Sequence, residues 1–193
     1  MNEILNFLQS IHPLSPPLID HLSKTLKHKQ LLKKDFLLKA GHISRSVYFI
    51  QQGLLWAFYM KGDTEVTSWF MKEGDISGVS IESFYEQKES YESIQALEDC
   101  TLYYIDHQEL EYIYRHFPEF NSIGRLLTIK YHILWVKQLY AIRMQDADQR
   151  YRWLLENDSD LLTRVPAKYI ASYLDITPIT LSRMKANVAK KRK

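Results

Sequence analysis

Residues 167–193, AKYIASYLDITPITLSRMKANVAKKRK, read as two short helices joined by Asp175, Ile176 and Thr177. Pro166 can open the first helix, because the first helical position has no use for the N–H that proline lacks. Ile170, Ala171 and Leu174 share one face of it, and the small Ala171 permits the close crossing that a tight turn imposes. The second helix has a strong start, with the Thr177 hydroxyl as cap and Pro178 at its first position. Leu181, Met184 and Val188 then form an inner face, leaving Ile179, Ser182, Arg183, Ala186 and Lys190 outside. Small outer groups around one arginine suit a helix that enters a DNA major groove. The backbone can approach closely, and a guanidinium reads guanine or grips phosphate. The N–H groups beside Thr177 offer a phosphate site, and the terminal Lys-Lys-Arg-Lys adds salt-dependent affinity of low specificity. The same spacing also suits an ordinary helical hairpin with a solvated basic tail.

Upstream, NSIGRLLTIKYHILWVKQLYAIRMQ (121–145) runs for about seven helical turns without proline. Ile123, Leu126, Ile129, Ile133, Val136 and Tyr140 recur in steps of three and four, and Leu127, Leu134 and Ala141 form a neighbouring stripe. One stripe can pack on the helix's own domain and the other on a second copy of the chain, making Leu126, Ile129, Ile133, Val136 and Tyr140 the candidate dimer interface. A helix packed only within its own chain is the alternative. The next segment, DADQRYRWLLEND, predicts a helix capped by Asp146, with Trp153, Leu154 and Leu155 on its apolar face.

The first half has another texture. Two short helices are expected in the first thirty residues, broken at Pro13, Pro16 and Pro17. From Lys34 come brief β-prone runs, FLL, SVYFIQQG, LLWAFYM, EVTSWFM, ESIQALED and CTLYYID, punctuated by Gly41, Gly53, Gly62 and Gly74. Such runs predict an antiparallel sandwich or barrel, followed near His107 by one or two short helices.

With 193 residues, 46% of them hydrophobic and 25% charged, the chain can fold around its own core. The net charge of +2 hides an asymmetry: eight carboxylates and one base lie between Glu73 and Asp99, whereas six Lys or Arg and no acid follow Asp175. The N-terminus lacks the pattern of a signal peptide and no apolar run is long enough to span a bilayer, so a cytoplasmic protein without a membrane partner is expected. The single Cys100 excludes an internal disulfide, an iron–sulfur cluster and a structural zinc site.

The pieces VYFIQQG, KEGD, ESIQALEDC and, most specifically, RVPAKYIASYLDITPITLSRM resemble the Crp/Fnr superfamily of bacterial transcription regulators, in particular its short Bacteroidetes-type members. The resemblance covers almost the whole chain. It implies an α+β protein with three parts: a cyclic-nucleotide-binding-like jelly-roll sensor domain over 1–116, a dimerisation helix over 117–144, and a helix-turn-helix DNA-binding domain over 145–193. Thr177, Pro178, Ile179, Ser182 and Arg183 fall where the family contacts DNA, and Lys190 joins them as a cation of the outer face. Implied partners are double-stranded DNA, a second copy of the chain, RNA polymerase and an unidentified small-molecule effector. Three departures stand out. Asp175 replaces a turn glycine, Ile179 replaces a glutamate and so favours a thymine methyl over cytosine, and the stretch after the second helix is too short for the usual β-hairpin wing.

Family members that bind cyclic AMP grip its phosphate with an Arg-Ser pair. Here Ser90 and Tyr91 fall near that place, and 74–99 contains no arginine. No cofactor is therefore expected, haem ligation by the isolated His42 or His107 being the weaker reading of those residues. Ser80, Glu82, Ser90 and Tyr91 remain candidates for lining a pocket for another ligand, or are simply polar groups of turns and strand edges. Trp56, Trp69 and Phe70 are candidates for filling the barrel instead. No histidine pair has the spacing of a cupin metal site, and no nucleophile elbow, phosphate-binding loop or zinc-protease helix is present, so an enzyme is not expected. The alternative to a transcription regulator is a ligand-binding or protein-interaction module with a degenerate helix-turn-helix.

Overall fold

A computed structural model describes residues 2–77 and 80–191, including the side chains of 3–76 and 80–187. It divides into two compact units, Met1–Tyr59 with Trp69–Lys130, and Met60–Ser68 with Tyr131–Lys193.

The first unit opens with helices α1 (Asn2–Ile11) and α2 (Pro16–Thr25). Strands β1 (Lys27–Leu31), β2 (Phe36–Leu38), β3 (Ser46–Gln52), β4 (Leu55–Lys61), β5 (Thr64–Met71) and β6 (Ile76–Ser77) come next. Helix α3 (Ile81–Glu86), strands β7 (Glu92–Ala96) and β8 (Cys100–Asp106), and helix α4 (His107–His116) complete the series. The strands form two four-stranded sheets, ordered β1-β8-β3-β6 and β2-β7-β4-β5, and the expected antiparallel jelly roll results.

Side-chain alternation explains both faces of the first sheet. Ile50, Cys100 and Leu102 join Leu31, Leu38, Leu55, Met71 and Ile94 between the sheets. Phe49 and Ile105 point the other way, into a second cluster with Ile4, Leu8, Leu18, Leu22, Leu110 and Ile113 of the flanking helices. The pleat also corrects one expectation. Trp69 packs on the inter-sheet cluster, but Trp56 and Phe70, though buried, alternate with Leu55, Ala57 and Met71 and so do not fill the barrel with it.

Helix α5 (Pro118–Met144) is a single 27-residue helix that starts at a proline in its first turn, three residues earlier than the apolar pattern predicts. Phe120 and Ile123 are buried in the helical cluster, with Leu127 packed against it. Gly124 leaves room there for the Tyr114 ring, whose hydroxyl and ring edge a Cβ would overlap. Helix α5 continues into the second unit, followed by α6 (Ala147–Asn157), α7 (Leu161–Arg164), α8 (Ala167–Tyr173) and α9 (Pro178–Lys191). Asp146 caps α6 in a full capping box with Gln149. The buried face of α6 is Tyr151 and Leu154 rather than the expected Trp153, which is 41% exposed, because the helical step from Leu154 runs back to Tyr151.

Gly41, Gly53, Gly62 and Gly74 all have positive φ, as turn residues should. Gly53 is the most constrained. At φ 101°, a Cβ would meet the Cys100 Sγ at 2.5 Å and the Asp99 carbonyl at 2.6 Å. The Cys100 thiol it abuts is buried, which pushes its pKa up to about 11, so it serves as a packing group rather than a nucleophile. Gly53→Ala combines left-handed strain with a backbone clash. It is expected to lower unfolding free energy by about 3 kcal/mol in urea denaturation.

Candidate nucleic-acid interface

The core of the second unit seats helices α8 and α9. Ile170, Ala171 and Leu174 of α8 and Leu181 of α9 are buried, as are Tyr151, Leu154, Leu161 and Val165 of the preceding segments. Met184 is half-buried, and Val188 lies beyond the described side chains.

Helix α8 ends in a Schellman motif. The Asp175 N–H donates to the Ser172 carbonyl at 3.1 Å and the Ile176 N–H to the Ala171 carbonyl at 3.0 Å. This geometry needs the left-handed conformation at Asp175, whose φ is 51°. The chain then turns into α9, where Thr177 Oγ1 accepts from the Thr180 N–H at 3.1 Å and lies 2.9 Å from Thr180 Oγ1. Thr177 is thus the expected cap, with Pro178 opening the helix behind it. Thr177, Pro178, Ile179, Ser182 and Arg183 are all exposed, Ile179 by 66%, so α9 displays them together on one uncovered surface. Lys190 belongs to α9, but its side chain lies outside the described ones. Lys185 turns partly inward, its Nζ 3.5 Å from the Leu162 carbonyl.

Two sets of contacts in this unit have no signal in the sequence. Strand β5 lies at the edge of its sheet, and the hairpin tip at Met60–Ser68 is tied to α8. The Thr67 N–H donates to Ser172 Oγ at 2.9 Å, Thr67 Oγ1 donates to the Tyr169 carbonyl at 3.2 Å, and Lys168 Nζ lies 3.1 Å from Glu65. Hydrogen bonding to Tyr169 and Glu65 raises the Lys168 pKa, and the ammonium sits 4.4 Å from the Tyr169 ring. These α8 groups are therefore engaged with the hairpin, while the outer face of α9 is open. The second set belongs to Arg150, which reaches the carbonyls of the α8–α9 turn from α6.

Along α5, Leu126 (38%), Ile129 (44%), Ile133 (48%), Val136 (45%) and Tyr140 (59%) are exposed on one stripe. Leu127, Leu134 and Ala141, on the neighbouring stripe, are half-buried. The two stripes thus have separate fates within the chain.

In the first unit, the candidate pocket residues differ in exposure and in partners. Ser90 Oγ donates to the Glu92 carbonyl and accepts from the Glu92 N–H, both at 3.0 Å, so its hydroxyl is spent on its own turn. Ser80 is buried ahead of α3, Glu82 is exposed on α3, and Tyr91 is 63% exposed. Lys88, the one base of the segment, lies 2.6 Å from Glu86.

Residues 28–117 match the family model of the cyclic nucleotide-binding domain. No curated protein matches the chain. Among solved structures, FixK2 from Bradyrhizobium japonicum has a TM-score of 0.71 at 16% identity, over 86% of this chain and 85% of that one. A protein from Eubacterium rectale described as a transcriptional regulator of the Crp/Fnr family has a TM-score of 0.72 at 16% identity, over 96% and 88%. A CooA variant from Carboxydothermus hydrogenoformans has a TM-score of 0.68 at 22% identity, over 87% and 78%. The fold is that of the Crp/Fnr proteins, a cyclic-nucleotide-binding-type jelly roll followed by a long helix and a helical C-terminal part.

The Thr177 cap satisfies a backbone donor that α9 otherwise leaves open. Thr177→Ala is expected to destabilise the second unit by about 1 kcal/mol, read as a lowered denaturation midpoint, whereas Thr177→Ser keeps the midpoint close to wild type.

Proposed function

We propose that this Crp/Fnr-type chain is a homodimeric, sequence-specific DNA-binding transcription regulator that does not respond to cyclic AMP. The observation that carries the reading is the uncovered face of α9, where Thr177, Pro178, Ile179, Ser182 and Arg183 stand exposed on a helix whose other side is anchored by Leu181. In this reading 1–116 is a sensor domain, 117–144 the dimerisation helix and 145–193 the DNA-binding domain.

The α9 helices of two copies enter successive major grooves of a palindrome, about 34 Å apart. Arg183 reads a guanine or grips a phosphate, and Ile179 touches a thymine methyl. Thr177 and the N–H groups of the helix start hold a phosphate. The exposed stripe from Leu126 to Tyr140 joins the copies, its steps of three and four matching a coiled-coil seam flanked by Lys130 and Lys137.

A cyclic nucleotide does not fit the segment between Gly74 and Asp99. It has no arginine for the phosphate, its Ser90 hydroxyl is already paired, and Lys88 faces Glu86 among further carboxylates. An effector of other chemistry would act by biasing the spacing of the two recognition helices. The solvent-exposed Ile179 supports a second reading, a protein-interaction module built on the same helices, because a bare aliphatic at the start of α9 also suits a protein surface.

Selection of bound sequences from a random duplex pool separates the two. The regulator enriches a palindrome, and Arg183→Ala weakens binding to it by about 1–3 kcal/mol. Failure of the wild type to enrich any sequence would favour the interaction module.

A further inference from the structure

The turn between α8 and α9 is held in an unfavourable conformation by a residue far from it in sequence. Asp175 occupies the C′ position of the Schellman motif with φ 51°, a left-handed conformation that glycine adopts freely and a side chain resists. Its own N–H and that of Ile176 close the motif, but the carbonyls of Leu174 and Asp175 point away without helical partners. Arg150 of α6 supplies them. Its Nε donates to the Leu174 carbonyl at 2.8 Å and its Nη2 to the Asp175 carbonyl at 3.3 Å. Its Nη1 donates to the Gln145 carbonyl, just past the end of α5, at 2.6 Å. One half-buried guanidinium thus stands at the C-terminal ends of two helices, where the peptide dipoles favour a cation. It fixes α6, the end of α5 and the α8–α9 turn against one another. The three carbonyls are met by three different nitrogens of one rigid planar fork, whereas a lysine would have to gather all three around a single nitrogen.

We infer that Arg150 is the positioning residue for the recognition helix: it holds the left-handed turn at Asp175 and thereby sets the direction in which α9 leaves α8. The inference rests on the DNA-binding reading for its consequence, but not for its geometry. Nε, Nη1 and Nη2 of Arg150 each donate to a backbone carbonyl, so the geometry assigns the side chain to the turn.

The test compares wild type, Arg150→Met, Asp175→Gly and the double variant by amide hydrogen exchange and by DNA binding. Arg150→Met keeps an apolar stem and removes the donors. It is expected to speed exchange of the 175 and 176 amides by roughly tenfold, with the amides of Leu154 and Tyr151 in α6 unchanged. Adding Asp175→Gly, which takes the left-handed conformation without strain, should restore most of that protection. In parallel, the ratio of affinity for the selected duplex to affinity for a random-sequence duplex falls about tenfold in Arg150→Met and recovers in the double variant. A residue that merely stabilised the fold would lower both affinities together and would also speed exchange of the Leu154 and Tyr151 amides. Unchanged exchange at 175 and 176 in Arg150→Met overturns the inference, as does acceleration that Asp175→Gly fails to relieve. If Arg150→Met does not fold, Arg150→Lys takes its place, with a smaller acceleration relieved by the same glycine. Should the wild type select no DNA sequence, the regulator reading fails, and the exchange measurements still decide the role of Arg150.

Discussion

Helix α5 carries apolar residues on more than one side, and its own chain covers only part of them. Its first turns bury Phe120 and Ile123 against the jelly roll's helical layer, and Gly124 lets the Tyr114 ring lie flush on its backbone. The stripe from Leu126 to Tyr140 stays uncovered over several turns. Exposed apolar groups scattered singly are ordinary, but a continuous row at coiled-coil spacing carries a solvation cost that association with a matching row removes. In the proposed dimer, the same helix that closes the first unit's helical cluster supplies the seam, and its far end leads through Asp146 into the helices that present α9. The distance between two recognition helices is then a property of α5 and of the segment immediately after it.

Polar contacts join the buried core in holding that segment. Arg150 gathers carbonyls from two helix ends, Thr177 caps α9, and the β4–β5 hairpin tip gives its edge N–H at Thr67 to Ser172 of α8. The last contact has a structural logic of its own, because an open strand edge invites pairing with another chain and a serine hydroxyl satisfies it harmlessly. It also distinguishes the two helices, since Lys168, Tyr169 and Ser172 of α8 meet the hairpin while Ile179, Ser182 and Arg183 of α9 are exposed. Directional hydrogen bonds fix orientation more sharply than apolar packing does.

Much of this is legible in the sequence because it depends on local chemistry. Four glycines predict turns and have positive φ; Thr177-Pro178 predicts a helix start; the alternating runs from Phe36 to Asp106 predict antiparallel strands. The misses share a cause, which is dependence on partners distant in sequence. Strand β1, KHKQL, has no apolar alternation and exists through its backbone pairing with β8 from Lys27 opposite Tyr104 to Leu31 opposite Cys100. Helix α3 is hidden in the sequence because Ile81 and Tyr85 are exposed while Ser83 and Phe84 are buried, the reverse of a simple amphipathic pattern. Size alone puts Trp153 inward, but the face set by Leu154 selects Tyr151. Arg150 looks like one more surface cation in DQRYRW, since nothing local shows that carbonyls 24 and 25 residues further on come within its reach. Ser90 illustrates a related dependence, since its hydroxyl is bonded to the backbone of its own turn, which its position in the sequence does not reveal.

Whether two copies join along α5 and read DNA together is decided by sedimentation equilibrium of the protein alone and with a selected palindromic duplex, for wild type and Ile133→Asp. The expected outcome is a wild-type dimer that binds as two chains per duplex, and an Ile133→Asp variant that is folded, monomeric and weak on the palindrome. A wild type that remains monomeric at concentrations where it saturates the duplex, or an Ile133→Asp variant that still binds as a dimer, would rule out the α5 seam.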